Sequence, residues 1–345
     1  MKYLKNNKKG VIKIKKPKVF VTREIPKPGL DLLRKFCEVE VNSHDRVLTK
    51  QEIIKGIKGK DALLCLLTDN IDEEIIASNP NLKVIANYAV GYNNIDVSSA
   101  TKYSIPVTNT PGVLTDTTAD LTFSLLMCAA RRLVESDKFM RAGKYKGWGP
   151  MLMLGHEITG KTIGIIGLGR IGSAVAKRAV NGFNMKVIYY EHDGPKPEVD
   201  KALGARYADF DQLLKEADFI TLHVPLNDQT KHMISTKEFG LMKNTAILIN
   251  TSRGPVINEK ALVEALKKGK IAGAALDVYE EEPAMAPGLK ELDNALIVPH
   301  VGSATIETRT KMATMAAENV VAAVQCKVPP NLVNRVSLEQ WKCKI

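Results

Sequence analysis

"KTIGIIGLGRIGSAVAKRAV", residues 161–180, runs from an apolar strand-like stretch through three glycines into a helical pattern. The glycines fall as Gly167-x-Gly169-x-x-Gly172, and a second apolar strand, "KVIYY" (186–190), follows the helix. Glycines recur in turns, so the spacing alone is weak; set between strand and helix of one βαβ unit it is the dinucleotide fingerprint. Gly167 makes the tight turn, Gly169 lets the backbone approach a pyrophosphate, and Gly172 lets helix and strand pack closely. The N–H groups of Arg170 and Ile171, at the helix N-terminus, then face the anion. Glu191 stands nineteen residues beyond Gly172, directly after the second strand. An acid there accepts hydrogen bonds from the ribose hydroxyls of NAD. A 2′-phosphate on that ribose would meet like charge, at a cost of up to ~4 kcal/mol per pair at contact distance. His192 and Lys196 soften the repulsion, so NAD(H) is preferred and NADP(H) stays possible.

Outward from this unit, strand and helix patterns alternate in both directions. "DFITLHVP", "TAILINTSRG", "IAGAALDVY" and "ALIVPHVGS" continue the series after it; "KVFVT", "VEVN", "ALLCLLTD", "KVIANYAVG" and "IPVTN" form another before it. Such alternation predicts parallel sheets with helices on both faces, an α/β protein with two doubly wound, Rossmann-like domains. Residues 118–142 carry the longest unbroken helical pattern, a spine ended by the glycine-rich "GKYKGWGPMLMLG". A last helix, from about Ala304 to Gln325, packs back on the first half. The expected organisation is a basic extension at 1–16, a discontinuous domain of 17–117 with 304–335, a nucleotide domain inserted at 118–303, and a tail at 336–345.

The bulk properties exclude several classes. A chain of 345 residues, 45% hydrophobic and 25% charged, suits a two-domain globular protein. No apolar run approaches the roughly 20 residues that span a bilayer, and the N-terminus lacks the apolar core of a secretory signal. The net charge of +11 suggests nucleic acid, but eight lysines and no acid lie in residues 1–18, leaving +3 for the other 327. The basic character is a solvated tail, and a nucleic-acid partner is not expected. Five scattered cysteines without a C-x-x-C pair read as small reduced hydrophobes, not a disulfide frame or a metal site, and the location as cytoplasmic.

Ligands of open parallel sheets bind beyond the carboxyl ends of the strands. His223, Arg253, Asp277 and His300 close or follow four successive strands there. Just past Asp277 comes "DVYEEEP" (277–283), with three more acids. Glu282 precedes Pro283 and has the most constrained backbone. Glu280 and Glu281 carry no such constraint and read as solvated. That selects Glu282 only weakly.

"TSRGPV", "ALDVYEEEP" and "VPHVGSAT" after a mid-chain "GLGRIG" resemble the D-isomer-specific 2-hydroxyacid dehydrogenases. "NYAVGYNNIDV", "NTPGVLTDTTADL", "GWGPMLMLG" and "PPNLVN" are similar to the glyoxylate/hydroxypyruvate reductases among them, over about residues 17 to 335. The resemblance implies a flavodoxin-like substrate domain beside the NAD(P)-binding domain. It implies catalytic roles for Arg253, Glu282 and His300, and substrate contacts from Leu67, Ala89, Val90, Gly91 and Ser303. It also implies that Thr115, His223, Val224, Pro225, Thr230, Thr251, Ser252, Asp277 and Gly302 contact the cofactor. A homodimer is implied, with Trp148 reaching the partner subunit's site.

The chemistry follows from the residue types. A 2-oxo acid, glyoxylate or hydroxypyruvate, accepts hydride at C2, and its oxygen must gain a proton. Arginine's fork holds carboxylate and carbonyl oxygens together. Imidazole, with an ordinary pKa of about 6.5, donates the proton, and a carboxylate behind it fixes the tautomer. Alternatives on the same scaffold are reductases of 2-ketogluconate, D-lactate or phosphoglycerate precursors, and a dinucleotide-sensing corepressor-like protein. Two departures bear on these readings: Glu191-His192 replaces the neutral residue and arginine that suit NADPH in several relatives, and the lysine tail lies outside the family pattern.

Overall fold

The computed structural model describes residues 15–335 and Trp341; the rest of the lysine-rich extension and of the C-terminal tail lie outside the described residues. The chain divides into two compact units, one made of the residues up to Pro111 with those from Arg309 on, the other of Gly112–Thr308.

The first unit alternates strand and helix: β1 (Lys18–Val21), α1 (Lys27–Phe36), β2 (Glu38–Val41), α2 (Lys50–Ile57), β3 (Ala62–Leu66), α3 (Glu73–Ser78), β4 (Val84–Tyr88), α4 (Val97–Lys102) and β5 (Val107–Thr108). Its five-stranded parallel sheet has the order β2-β1-β3-β4-β5, the doubly wound flavodoxin-like order. Local chemistry sets the helix starts. Thr49 and Glu52 form a reciprocal capping box at α2, and Asp72 and Asp96 accept N–H groups at the starts of α3 and α4. The final residues return to this unit. Asn334 Oδ1 accepts the Val107 N–H at 2.7 Å, and the Trp341 indole N–H donates to the Lys83 carbonyl at 3.0 Å.

The second unit holds α5 (Thr115–Ala130), α6 (Leu133–Arg141), β6 (Thr162–Ile166), α7 (Arg170–Phe183), β7 (Lys186–Tyr190), α8 (Pro197–Leu203), β8 (Arg206–Tyr207), α9 (Phe210–Glu216), β9 (Phe219–Leu222), α10 (Thr236–Leu241), β10 (Ile247–Asn250), α11 (Glu259–Lys267), β11 (Gly273–Leu276) and β12 (Ala295–Ile297). Its seven parallel strands run β12-β11-β10-β9-β6-β7-β8, so strand order reverses at β6, the switch point where dinucleotides bind. Both faces are covered, one by a core around Leu213, Ile220, Phe239 and Leu262, the other by Phe123, Leu126, Val175 and Ala179. That explains why the central strands are apolar throughout instead of alternating. The last helix, α12 (Ile306–Val324), is the longest. Within the first unit a Cβ on Gly29 would lie 2.6 Å from the Ala313 carbonyl oxygen, so α1 and α12 meet at backbone distance there.

Three expectations need correction. The helical pattern over 118–142 is two helices: Arg132 is left-handed (φ 52°), and the chain at 154–156 crosses the end of α5, where the His156 N–H caps the Ala130 carbonyl at 2.8 Å. The expected junctions at 117/118 and 303/304 lie inside the second unit, because α5 packs its buried face on the nucleotide sheet. Cys37, Cys65 and Cys128 are thiols, but Cys326, in the left-handed turn after α12, is disulfide-bonded. Among the described residues no helix is long and apolar enough to cross a membrane, and no cluster of His, Cys, Asp or Glu could hold a metal.

Candidate active site

The glycine loop after β6 has the shape that a pyrophosphate needs. Gly167 is left-handed (φ 93°), and a Cβ on it would lie 2.8 Å from the His223 carbonyl. On Gly172 a Cβ would lie 2.1 Å from the Gly167 oxygen, so helix and turn touch. At Gly169 a Cβ meets no protein atom within 4 Å, and no side chain caps α7. The first N–H groups of a helix have no partner within it, so Arg170 and Ile171 offer theirs to an anion. Glu191, at the end of β7, accepts the Leu168 N–H at 2.6 Å and the Lys196 ammonium at 2.9 Å on one oxygen, Oε2. Neither bond uses Oε1. These residues fit a nicotinamide dinucleotide.

Across the switch point, burial pushes His223 down to about 3, so its ring is neutral, and Nε2 lies 2.6 Å from the Thr221 hydroxyl. Val224 and Pro225 begin a turn closed by Thr230, whose hydroxyl donates to the Pro225 carbonyl at 2.6 Å. After β10, Asn250 shapes the loop: its Oδ1 accepts the N–H and hydroxyl of Ser252, and its Nδ2 donates to the Arg253 carbonyl at 2.9 Å. Thr251 is buried against Thr122, hydroxyl to hydroxyl at 2.8 Å. Thr115 opens α5.

The four strands β9 to β12 are neighbours, so His223, Arg253, Asp277 and His300 leave the same edge in succession. Of the three glutamates, Glu282 is the one beside the imidazole. Its Oε2 lies 2.9 Å from His300 Nδ1, and its Oε1 accepts the Tyr279 N–H at 3.1 Å. Burial would push the Glu282 carboxyl up, but His300, the Tyr279 N–H and Arg253 together hold it below the usual carboxylate range. Around Arg253 burial opposes the charge, and the Glu282 carboxylate offsets part of that.

His300 is held in the left-handed region (φ 53°), an uncommon conformation for a residue with a side chain. Asp277 holds it there. Its two oxygens accept the N–H groups of Val301 and Gly302 at 2.6 and 2.8 Å, and the Thr118 hydroxyl donates to the Gly302 carbonyl at 3.1 Å. Burial pushes the Asp277 carboxyl up against these bonds. Ser303 follows in the same loop. Glu280, expected in solvent, is instead partly buried and bonded to His232.

On the first unit, the loop after β4 is held by its carbonyls. Ala89 accepts from the Thr110 N–H, Val90 from Asn109 Nδ2 and Gly91 from Asn87 Nδ2, at 2.8, 2.8 and 2.9 Å. Leu67 lies in the turn after β3, closed by the Asp69 N–H on the Leu66 carbonyl. Trp148 is 83% exposed. Sequence reasoning missed Asn250, Asn87, Asn109 and Thr118. A polar side chain ending an apolar strand, as in "AILIN" and "VIAN", was the available signal.

Comparison with known proteins gives the family. Residues 123–302 match the family described as "D-isomer specific 2-hydroxyacid dehydrogenase, NAD binding domain". A glyoxylate reductase of Thermococcus litoralis is 53% identical over 324 residues, covering 93% of this chain and 97% of that one. A solved glyoxylate reductase from Paecilomyes thermophila superposes with a TM-score of 0.82 at 32% identity, over 92% of this chain and 98% of that one. A solved NADPH-dependent glyoxylate/hydroxypyruvate reductase from Sinorhizobium meliloti gives 0.80 at 29%, over 92% and 98%. With a nucleotide loop at the switch point and an imidazole–carboxylate pair at the strand ends, the chain belongs to the D-isomer-specific 2-hydroxyacid dehydrogenase family, oxidoreductases that use a nicotinamide dinucleotide.

Proposed function

We propose that the protein reduces glyoxylate, and hydroxypyruvate by the same chemistry, to glycolate and D-glycerate. The observation that carries this reading is the 2.9 Å pairing of His300 Nδ1 with Glu282, one strand end away from Arg253's neighbour Asp277. When bound, the dinucleotide supplies the hydride. Arg253 grips the carboxylate and carbonyl oxygens of the 2-oxo acid and orients C2. Glu282 holds the imidazole by Nδ1 and fixes its orientation, which leaves Nε2 to deliver the proton to the carbonyl oxygen. A single positioned acid contributes typically about 10²–10⁴-fold. Asp277 would hold the nicotinamide amide, and Thr115, His223, Val224, Pro225, Thr230, Thr251, Ser252 and Gly302 would hold other parts of the cofactor. Resemblance to the family assigns substrate contacts to Leu67, Ala89, Val90 and Gly91 as well, and to Ser303.

NADH is the preferred carrier in this reading, because the Glu191 carboxylate repels a 2′-phosphate. The Lys196 ammonium bound to it keeps NADPH usable. The protein acts as a homodimer. Leu133, Met140, Trp148, Met151 and Leu154 are exposed within one stretch of the sequence, and burying such side chains against a second copy is what this reading assigns to them. Sedimentation of a monomer at working concentration would contradict this, and with it Trp148's role at the partner subunit's site. Residence in the cytoplasm accords with the free thiols of Cys37, Cys65 and Cys128.

The deciding experiment is a panel of small 2-oxo acids against NADH and NADPH. Glyoxylate and hydroxypyruvate should give the highest kcat/KM, with NADH ahead. Binding of NADH with no turnover of any 2-oxo acid would favour a dinucleotide sensor; a strong preference for pyruvate or a sugar acid would reassign the substrate.

A further inference from the structure

A second histidine–carboxylate pair stands behind the first. His232 Nε2 lies 2.6 Å from Glu280 Oε1, and Glu280 Oε2 accepts the N–H of Glu259, the first residue of α11, at 3.1 Å. The His232 N–H donates to the Pro255 carbonyl at 2.8 Å, in the short 3-10 turn that follows Arg253. A Cβ on Gly254 would lie 1.8 Å from the Tyr279 carbonyl, so the backbone after Arg253 and the backbone before Glu282 are in contact. Beyond Pro283, the Ala286 N–H donates to Glu259 Oε2 at 2.9 Å. The turn bearing Glu282 is therefore tied on both flanks, by Glu280 before it and Ala286 after it.

We infer that the His232–Glu280 pair is a positioning device for the reaction, a staple that fixes the turn carrying Arg253 against the turn carrying Glu282. The inference rests on the catalytic reading of Arg253, Glu282 and His300. Two separated segments, those of His232 and Glu259, converge on Glu280, and both of its oxygens are committed, which a solvated surface acid does not require. The titratable groups facing it are His232, Lys231 and Glu259; those facing Glu282 are His300, Arg253 and Asp277. Burial would push the Glu280 carboxyl up, yet the Glu259 N–H and His232 keep it below the usual range, so the anion persists. Neither staple residue needs to touch substrate to matter, because a shift of about 1 Å in a reacting group can cost about 10²-fold.

The test compares Glu280→Ala, Glu280→Gln and His232→Gln with wild type and His300→Asn. In Glu280→Ala, kcat for glyoxylate should fall about 10- to 100-fold, KM should rise, and the alkaline limb of the kcat–pH profile should move, with NADH affinity unchanged. Glu280→Gln keeps an acceptor for the Glu259 N–H and a reach to His232, and should restore most of kcat and the profile. If Glu280→Ala lowers only the melting temperature, leaving kcat and the pH profile at wild type, the pair is merely structural. Should that variant fail to fold, His232→Gln supplies the same comparison, with the same two outcomes. An active His300→Asn would sink the catalytic reading itself; an inactive one beside an unaffected Glu280→Ala would sink only the staple.

Discussion

Arg253 illustrates how little a residue's charge says without its geometry. Burial works against that charge, and the turn holding it is shaped by Asn250, whose Nδ2 donates to the Arg253 carbonyl. Lysine at this position keeps the charge and loses the planar fork, so bidentate capture of a 2-oxo acid is lost. Arg253→Lys should lower kcat/KM for glyoxylate by the worth of a charge-assisted hydrogen bond, ~1.5–3 kcal/mol or roughly 10- to 150-fold. NADH affinity, measured by fluorescence titration, should hold; a variant with wild-type kcat/KM would show that the fork is not used. Arg253 and His300 were legible from strand-end position, and Glu282 mainly from resemblance. Glu280 was misread because a run of acids before proline looks solvated, and nothing in the run reveals His232, 48 residues earlier in the chain.

At the scale of elements, the strand–turn–helix around β6 was the most legible part, because each glycine has its own physical demand. Those demands separate in mutants. Gly172→Ala puts a Cβ 2.1 Å from the Gly167 oxygen and should cost ~1–3 kcal/mol of stability together with NADH affinity. Gly169→Ala meets no protein atom within 4 Å, so the melting temperature should hold while NADH binding weakens. Equal losses of stability in both would contradict the assignment. The break in the 118–142 pattern was not legible, since no glycine or proline marks it; the chain at 154–156 imposes it from outside. Glu259 at the start of α11 is a different case. Its carboxyl is pushed up by burial from 4.5, with Oε1 buried and unbonded. The folded state thus holds this proton more tightly than the unfolded chain. Its contribution to stability is full below about pH 4.5 and lost as pH rises through the raised value. Glu259→Gln, which cannot ionise, should therefore melt higher than wild type above that window and similarly below it. A lower melting temperature at neutral pH would show that the anion is needed.

Over the whole molecule, alternation of strand and helix patterns gave two doubly wound sheets their strand count nearly correctly, missing only the two-residue β8 in the second. Where the chain leaves one unit for the other was less legible, because α5 looks like a connector by length and belongs to the nucleotide sheet by packing. Substrate choice is the least legible property, since similar 2-oxo acids differ by few atoms and one methylene is worth only ~1–3 kcal/mol in a pocket. The account stands or falls on one imidazole. Steady-state glyoxylate reduction by His300→Asn, with NADH affinity measured alongside, tests it most directly. The account predicts a kcat about 10²–10⁴-fold below wild type with NADH affinity unchanged; turnover near wild type would contradict it.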